Sequence, residues 1–583
     1  MSPPPLYDLT CGIRGQRPHN EAEGMMFRKK INFLVTASVL AMVAHPALAQ
    51  GVPPLSAPSP GTVLSPPPPS PELQRREVPE LREDLGLPDG SEKVLNFRVS
   101  SVRVVGATVI DEKVLSAQFD PLLNRQITAA DLRSALDRTN ALYTEAGYAL
   151  GRAFVPVQVL QGGVLIVRVV EGYIGEIQID AADPAVRKMV EGFSRRIVAE
   201  QPLRTASLER YLLLISDIPG VTLGGQLQSM DVYSGAATLA LKVESKKFTV
   251  SSAVDNRANL DDAPFQAYLT GALNNIFGFG DEVSITGLAT PELESQQYFR
   301  GAFSTFIGTD GLRASVGAAY AKSEAADMPP GIELISTSTQ VDFLMSYPII
   351  RATAQTLTAF FGAYITDAEN ELNGFTFSKD AIRAAHIGGS YVAKLDERTS
   401  LSSHMRVTQG FSIWDAGPEN TLHSRLGATA NFTKLQSGAS LAYAATERLL
   451  LSFRVEGQYS PDSLFSSEEI SFGGARFARG YNNSEISGDS GLGASVQASY
   501  RFDVDLFGGW SVTPYTFLDH SQVWNTDVDR QGDARLLSTG IGVTLSNRRW
   551  LSVGLELDKP INRTPISQDN KDPRLFVSFE VRF

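Results

Sequence analysis

From residue 248 onward, apolar and polar positions alternate with a period of two. In the last segment Leu575, Val577, Phe579, Val581 and Phe583 share one face, and Ser578, Glu580 and Arg582 share the other. Leu551, Val553, Leu555 and Leu557 oppose Ser552, Glu556 and Asp558 in the same way. Val496, Ala498, Tyr500, Phe502 and Val504 oppose Gln497, Ser499, Arg501 and Asp503, and Leu451, Phe453 and Val455 oppose Ser452, Arg454 and Glu456. Successive side chains of a strand point to opposite faces, so each segment reads as a strand with one apolar side. The segments recur about every 20 residues between Gly, Asp, Asn and Pro clusters, and at ~21 residues per strand and connection residues 247–583 predict about 16 strands. Alternation alone fits a soluble sandwich or a barrel in lipid. Arg and Glu placed repeatedly mid-strand on one face favour a barrel with a wet lumen.

Ahead of residue 248 the period changes. Residues 97–105 predict one strand with a turn at Gly106. Thr128 to Ala146 predicts a helix with Thr128 as N-cap, Asp131 at the third helical position, and Leu132, Ala135, Leu136 and Leu142 on one face. Strand-like runs follow at 151–160 and 164–170, joined by Gly162-Gly163. Gly175 to Asp180 then begins a second set. Asp183-Pro184 caps a helix running to about Val198, a second helix carries Leu208, Tyr211, Leu212 and Ile215, and strands at 222–228 and 236–243 close it. Two successive β-α-α-β-β units of about 75 residues predict tandem modules at 96–172 and 173–246, with a single α+β domain as the alternative.

Residues 25–49 read as a secretory signal peptide. Arg28, Lys29 and Lys30 precede the apolar run Ile31 to Ala44, and Ala47-Leu48-Ala49 is a small-x-small cleavage site. Residues 1–24 read as a leader, or as a mis-assigned start with Met25 or Met26 as the true one. Residues 50–95 form a Pro-rich linker, with Pro66 to Pro69 consecutive, expected as extended polyproline.

Composition changes this picture only by exclusion. The one cysteine, Cys11, lies in the leader, which removes disulfide, thiolate and zinc–sulfur chemistry. With 64 acidic and 52 basic residues the net charge is −12, which disfavours nucleic acid as a partner. After residue 50 no apolar run approaches the ~20 residues of a spanning helix.

Several motifs resemble a known family. Tyr143, Gly147 and Tyr148, then Val155-Pro156 and Gln158, then Arg168, Glu171 and Gly172 resemble the POTRA domain of two-partner secretion transporters, the haemolysin secretion/activation (ShlB/FhaC-like) proteins. Asp255-Asn256 after the first barrel strand, the turn Asn274 to Asp281, the Ser346-Tyr347-Pro348 turn, Glu469 with Gly473-Gly474, the Arg479-Gly480-Tyr481 motif and Gly488 to Gly491 extend the resemblance across the barrel. The resemblance implies a mainly β fold: two tandem POTRA modules followed by a 16-stranded transmembrane β-barrel. It implies a bacterial outer-membrane location with the POTRA modules in the periplasm. The modules would offer a strand edge to an unfolded exported partner of haemolysin or adhesin type, and the barrel would conduct it to the surface. Outer-membrane lipid and the barrel-assembly machinery, which reads a terminal strand ending at Phe583, are the other implied partners. An assembly or insertion factor of the same superfamily is the alternative.

The same resemblance places Arg479, Gly480 and Tyr481 at the tip of a sixth extracellular loop that folds into the lumen. There the Arg meets an Asp of a following F-x-D-x-G strand motif, which reads here Phe517, Asp519 and Ser521. These three share one face, and Ser521 stands where the family has Gly. Either the loop backbone approaches less closely there or the Ser hydroxyl adds a hydrogen bond. Some relatives plug the pore with an amino-terminal helix. Residues 50–55 leave little room for one ahead of the Pro-rich run, and residues 72–85, interrupted by Pro79, offer only a short helix after it. Loop insertion is thus the expected means of closure. Asp519, His520 and Ser521 do not form a catalytic triad, because adjacent strand residues face opposite ways. His386, His404, His423 and His520 are too scattered to nominate a metal site. No enzyme, cofactor or metal is expected.

Overall fold

The computed structural model describes residues 94–230, 233–258, 264–291, 296–325, 331–417, 422–504, 509–526, 533–547 and 550–582. The expected signal peptide, the linker up to residue 93, the short helix at 72–85 and Phe583 lie outside the described residues.

The single strand expected at 97–105 is two strands. Apolar positions are odd-numbered through Val99 and even-numbered from Val102, so one continuous strand would turn half of them outward. Instead Val94–Arg98 pairs with Gln126–Thr128, and Ser101–Val105 pairs in parallel with Val164–Val170. Val94 and Leu95 therefore belong to a ladder, not to the linker. Helix Ala129–Glu145 starts at a complete capping box: the Thr128 side chain accepts from the Asp131 N–H, and Asp131 accepts from the Thr128 N–H. Its Ala135 and Tyr143 are fully buried against Phe119, Leu165 and Val167. The strand expected over 151–160 is reduced to Arg152–Phe154, because Pro156 supplies no ladder donor. Beyond it the edge of Val164–Val170 is closed by a side chain. Gln158 donates from Nε2 to the Ile166 carbonyl at 2.7 Å and accepts the Ile166 N–H at 2.9 Å, while Val157 and Val159 face solvent.

Glu171 ties the first module to its helix. Its carboxylate accepts the Tyr143 hydroxyl (2.9 Å), the Thr108 and Val109 N–H groups (2.8 and 2.9 Å) and the Thr108 hydroxyl. The next strand, Tyr173–Ala181, opens the second module. It pairs in parallel with Ala236–Ser245, which pairs antiparallel with Val221–Met230. Helix Pro184–Val198 begins at the Asp183 cap with Pro at its first position, and helix Thr205–Ser216 follows. Val190, Phe193, Leu212 and Ile215 bury themselves against Ile174, Leu239 and Leu241 of the sheet.

Sixteen antiparallel strands close into a barrel, with Phe502–Val504 continuing Ser490–Tyr500 along the same neighbour. Alternate residues such as Leu269, Ile285, Ile387, Ile541 and Leu575 expose their apolar side chains on the outside. The second module sits on short turns at one end. Arg351 forms a two-point fork to Asp217 (2.8 and 2.9 Å), Arg210 donates to the Pro348 and Asp310 carbonyls (2.8 and 3.0 Å), and Phe193 meets Phe306 edge-on at 5.7 Å. In the turn Asn274 to Asp281 the fully buried Asp281 carboxylate accepts the N–H groups of Ile276, Phe277 and Phe279. Ser346-Tyr347-Pro348 is not a turn. It lies inside strand Leu334–Arg351, where the missing Pro348 N–H is absorbed by a shift in register before Ile350, and the reversal falls at 352–354.

Burial raises the Glu171 carboxyl, but its hydrogen bonds outweigh that and hold it below the ordinary glutamate range. A depressed carboxylate stabilises the fold above the unfolded pKa of about 4.3 and loses that contribution as pH falls through the folded value. Glu171→Gln should therefore cost on the order of 1 kcal/mol at pH 7. Amide exchange of Thr108 and Val109 in the detergent-solubilised chain should read the loss, and the gap between the variants should narrow as pH falls through the depressed folded value.

Candidate functional site

At the barrel end opposite the second module, strand Leu449–Tyr459 leads into a loop, 460–489, that returns to strand Ser490–Tyr500. The loop folds locally before it packs. Ile470–Phe472 pairs with Ile486–Gly488, and the chain reverses through Gly473, Gly474 and Ala478, all at positive φ. Phe472, Phe477, Tyr481 and Ile486 form an apolar cluster completed by Val523 and Leu536 of the barrel wall. Charged pairs fix the base of the loop. Arg425 meets Asp489 in a buried two-point fork, and Lys434 Nζ lies 2.6 Å from Glu468 Oε2, which also accepts the Tyr364 hydroxyl at 2.8 Å.

The tip carries the residues singled out from sequence. Arg479 and Asp519 are 7% and 0% exposed, so the pair is removed from bulk water. Arg479 donates from Nε to Asp519 Oδ2 at 2.9 Å and from Nη2 to Oδ1 at 3.0 Å, and its backbone N–H reaches Oδ2 at 3.1 Å. The guanidinium lies 3.3 Å over the Phe517 ring. Gly480 passes so close to the wall that a Cβ there would meet the Pro560 backbone nitrogen at 2.9 Å. Tyr481, 1% exposed, donates its hydroxyl to the Leu537 carbonyl (3.0 Å) and to Asn562 Oδ1 (2.8 Å). All five residues thus meet in one interior site. Truncating one partner of such a buried pair leaves an uncompensated charge at a cost of about 3–5 kcal/mol.

Of the two expectations for Ser521, the added hydrogen bond is not found among the described residues, and the loop backbone makes its close approach elsewhere. Ser521 is fully buried, its hydroxyl finds no partner among the described residues, and the close approach of Gly480 falls on Pro560, Lys559 and Ser538. His520 lies on the strand face opposite Asp519 and Ser521, as the two-residue period requires. Sequence reading missed the rest of the Arg479 shell. Gln497 Oε1 (2.9 Å), Ser495 Oγ (3.2 Å) and Glu556 Oε2 (3.5 Å) also receive it. These residues stand on the polar faces of their strands, and period two announces that face without saying which members converge. Arg257 was missed for another reason: it follows a strand and carries no periodic signal. Its Nη1 donates to the Arg479 carbonyl at 3.2 Å.

A barrel with two α+β modules and an inward loop is a combination that sequence comparison can place. A model of the family described as haemolysin secretion/activation protein ShlB/FhaC/HecB matches residues 235–545, more than half of the chain. The chain belongs to this family. A model for the ShlB-type POTRA domain matches residues 97–172. The heme/hemopexin transporter protein HuxB of Haemophilus influenzae is 21% identical over 489 residues, 80% of this chain and 84% of the relative. The outer membrane transporter CdiB of Dickeya dadantii is 22% identical over 511 residues, 84% of this chain and 88% of the relative. The structure of CdiB from Escherichia coli superposes with a TM-score of 0.69 at 20% identity, over 87% of this chain and 94% of that one, and so shares the fold.

Membership makes the protein a two-partner secretion transporter, an outer-membrane β-barrel that translocates a partner protein and is not an enzyme. Its POTRA modules lie in the periplasm, which sets the short-turn end of the barrel inward and loop 460–489 at the cell-surface end. For such a transporter the loop tip stands inside the path that the barrel encloses.

Asp519→Ala should release the tip, since it strips Arg479 of three of its hydrogen bonds. At about 3 kcal/mol, amide exchange at Arg479 should accelerate roughly 100-fold in the detergent-solubilised protein. Exchange at the loop base, around Asp489, should change far less.

Proposed function

We propose that loop 460–489 is the gate of the secretion pore and that the Arg479–Asp519 pair is its lock. The supporting observation is the placement of a bidentate, water-excluded ion pair at the tip of a loop that enters the barrel from the surface end. A plug held only by apolar packing would slide. A fork with one angular solution, backed by Tyr481 and Phe517, defines a single closed position. Residues 96–172 and 173–246 act as the two periplasmic receptor modules, and 247–583 as the conduit. The cargo is an unfolded exported protein of haemolysin or adhesin type, captured through main-chain pairing at a module edge. The apolar outer face meets outer-membrane lipid, and the terminal strand serves as the handle by which the barrel-assembly machinery inserts the chain.

Arg479→Ala should abolish surface delivery of the partner while leaving barrel insertion intact, as judged by heat-modifiable migration of the folded form. Normal export by that variant would end the gate reading. Removal of residues 97–243 should leave a barrel that still conducts ions but exports nothing. Retained export would remove the receptor role.

A further inference from the structure

Every barrel has one junction where its first strand meets its last, and here that junction is short. Among the described residues, strands Phe248–Asp255 and Arg574–Arg582 share five registered pairs, Ser578 with Asp255 through Arg582 with Ser251. Each of the two strands shares eight pairs with its other neighbour. The last strand therefore runs on past the end of the first, and residues 575–577 have no backbone strand beside them on that edge. Unpaired backbone groups at a barrel junction are costly in lipid, where water does not compensate them.

Two residues just after the first strand answer this. Asn256 donates from Nδ2 to the Leu575 carbonyl at 3.0 Å and accepts the Val577 N–H at its Oδ1 at 2.8 Å. Its side-chain amide thus satisfies two backbone groups of the edge that the first strand leaves open. Arg257 turns inward. Its guanidinium lies 3.7 Å over the Phe576 ring of the last strand, and its Nη2 donates to Glu556 and, at 3.3 Å, to Asp558 of the neighbouring strand. Nη1 reaches the Arg479 carbonyl, and the Arg257 carbonyl accepts from Asn483 Nδ2 at 2.9 Å. The Arg257 side chain, 11% exposed, therefore joins the first strand, the last two strands and the loop tip.

We propose that Asn256 and Arg257 form a clasp that makes the inserted loop part of the barrel's own closure, so that the junction and the loop tip release together. Electrostatics gives the coupling its direction. Glu556 and Asp558 stand on one face two residues apart, and Arg257 contacts both. Without it, Arg479, already 3.5 Å from Glu556, would be drawn toward that carboxylate and away from Asp519. Asn256 and Arg257 are positioning residues: they act on the path through the loop and the strand junction.

The test uses the full-length chain in detergent, with Cys11 replaced by Ser, and reads the rate at which an added protease cuts loop 460–489. Arg257→Gln should raise that rate at least fivefold. Asn256→Ala, whose hydrogen bonds touch only the junction, should raise it as well if loop and junction are one unit. A disulfide across the registered pair Ala253 and Glu580, made by Ala253→Cys with Glu580→Cys, should bring the rate for Asn256→Ala back to within twofold of the parent. A parental rate for Asn256→Ala, or a raised rate that the disulfide leaves unchanged, overturns the clasp. Heat-modifiable migration confirms that each variant is folded before it is cut. The rate reports loop release and not export, so normal export by Arg479→Ala would end the gate reading and leave this one standing.

Discussion

Asp519 has no exposure to solvent, and a carboxylate so placed keeps its charge only if a cation comes to it. That cation is carried on a loop some forty residues away in sequence, so the barrel wall and the loop tip specify each other. Around this one neutralisation several neighbouring charges are arranged in alternation. Arg479 also faces Glu556, Glu556 and Asp558 face Arg257, and Arg257 returns to the backbone of Arg479. Phe517 and Phe576 each supply a ring beneath one of the two guanidinium groups, which lets both cations sit in a site with little water. The loop is held by this charge order and by a small apolar cluster, and the two demand the same position.

The strands and both modules were legible because each obeys one period over many residues. The helix caps at Thr128 and Asp183 were legible for a local reason, since a cap is written in three or four consecutive positions. The Arg479–Asp519 pair was legible only through resemblance, because nothing in the spacing between loop and strand indicates that they meet. What sequence concealed follows a common physical pattern. Residues 97–105 look like one strand until the change of parity between Val99 and Val102 is counted. Ser346-Tyr347-Pro348 looks like a turn, but Pro is tolerated in a strand where the register shifts to spare its missing donor. Arg257 was concealed most completely, and Asn256 was marked by resemblance without any sign of what it meets. Their partners lie some 300 residues away, and only barrel closure brings the two ends of that interval together.

Two side-chain amides do related work in different parts of the chain. Gln158 closes a module edge that Pro156 leaves open, and Asn256 extends the barrel junction by one rung. In each case an amide supplies both a donor and an acceptor at backbone spacing, so it can replace a strand residue without committing the main chain. Sites of this kind are cheap to open, because one side-chain rotation removes both bonds while the sheet behind remains intact.

The second module holds the barrel through turns at 275–281, 307–312 and 352–354, which join neighbouring strands on one side of the ring. The tip of the loop is held by the other side, from strand Ser490–Tyr500 round to the first strand. The two attachments share one strand: Phe248–Asp255 continues from the second module's last strand, Ala236–Ser245, and leads at its far end into Arg257, which donates to the Arg479 carbonyl. A tug on the periplasmic modules therefore has a direct route along the first strand toward the backbone of Arg479, while the turns at 275–281, 307–312 and 352–354 spread the remainder over wall that does not carry the ion pair. In the proposed gate, a pull from the modules and a chain threading past Arg479 to compete for Asp519 would thus act on the same loop tip from opposite ends of the barrel.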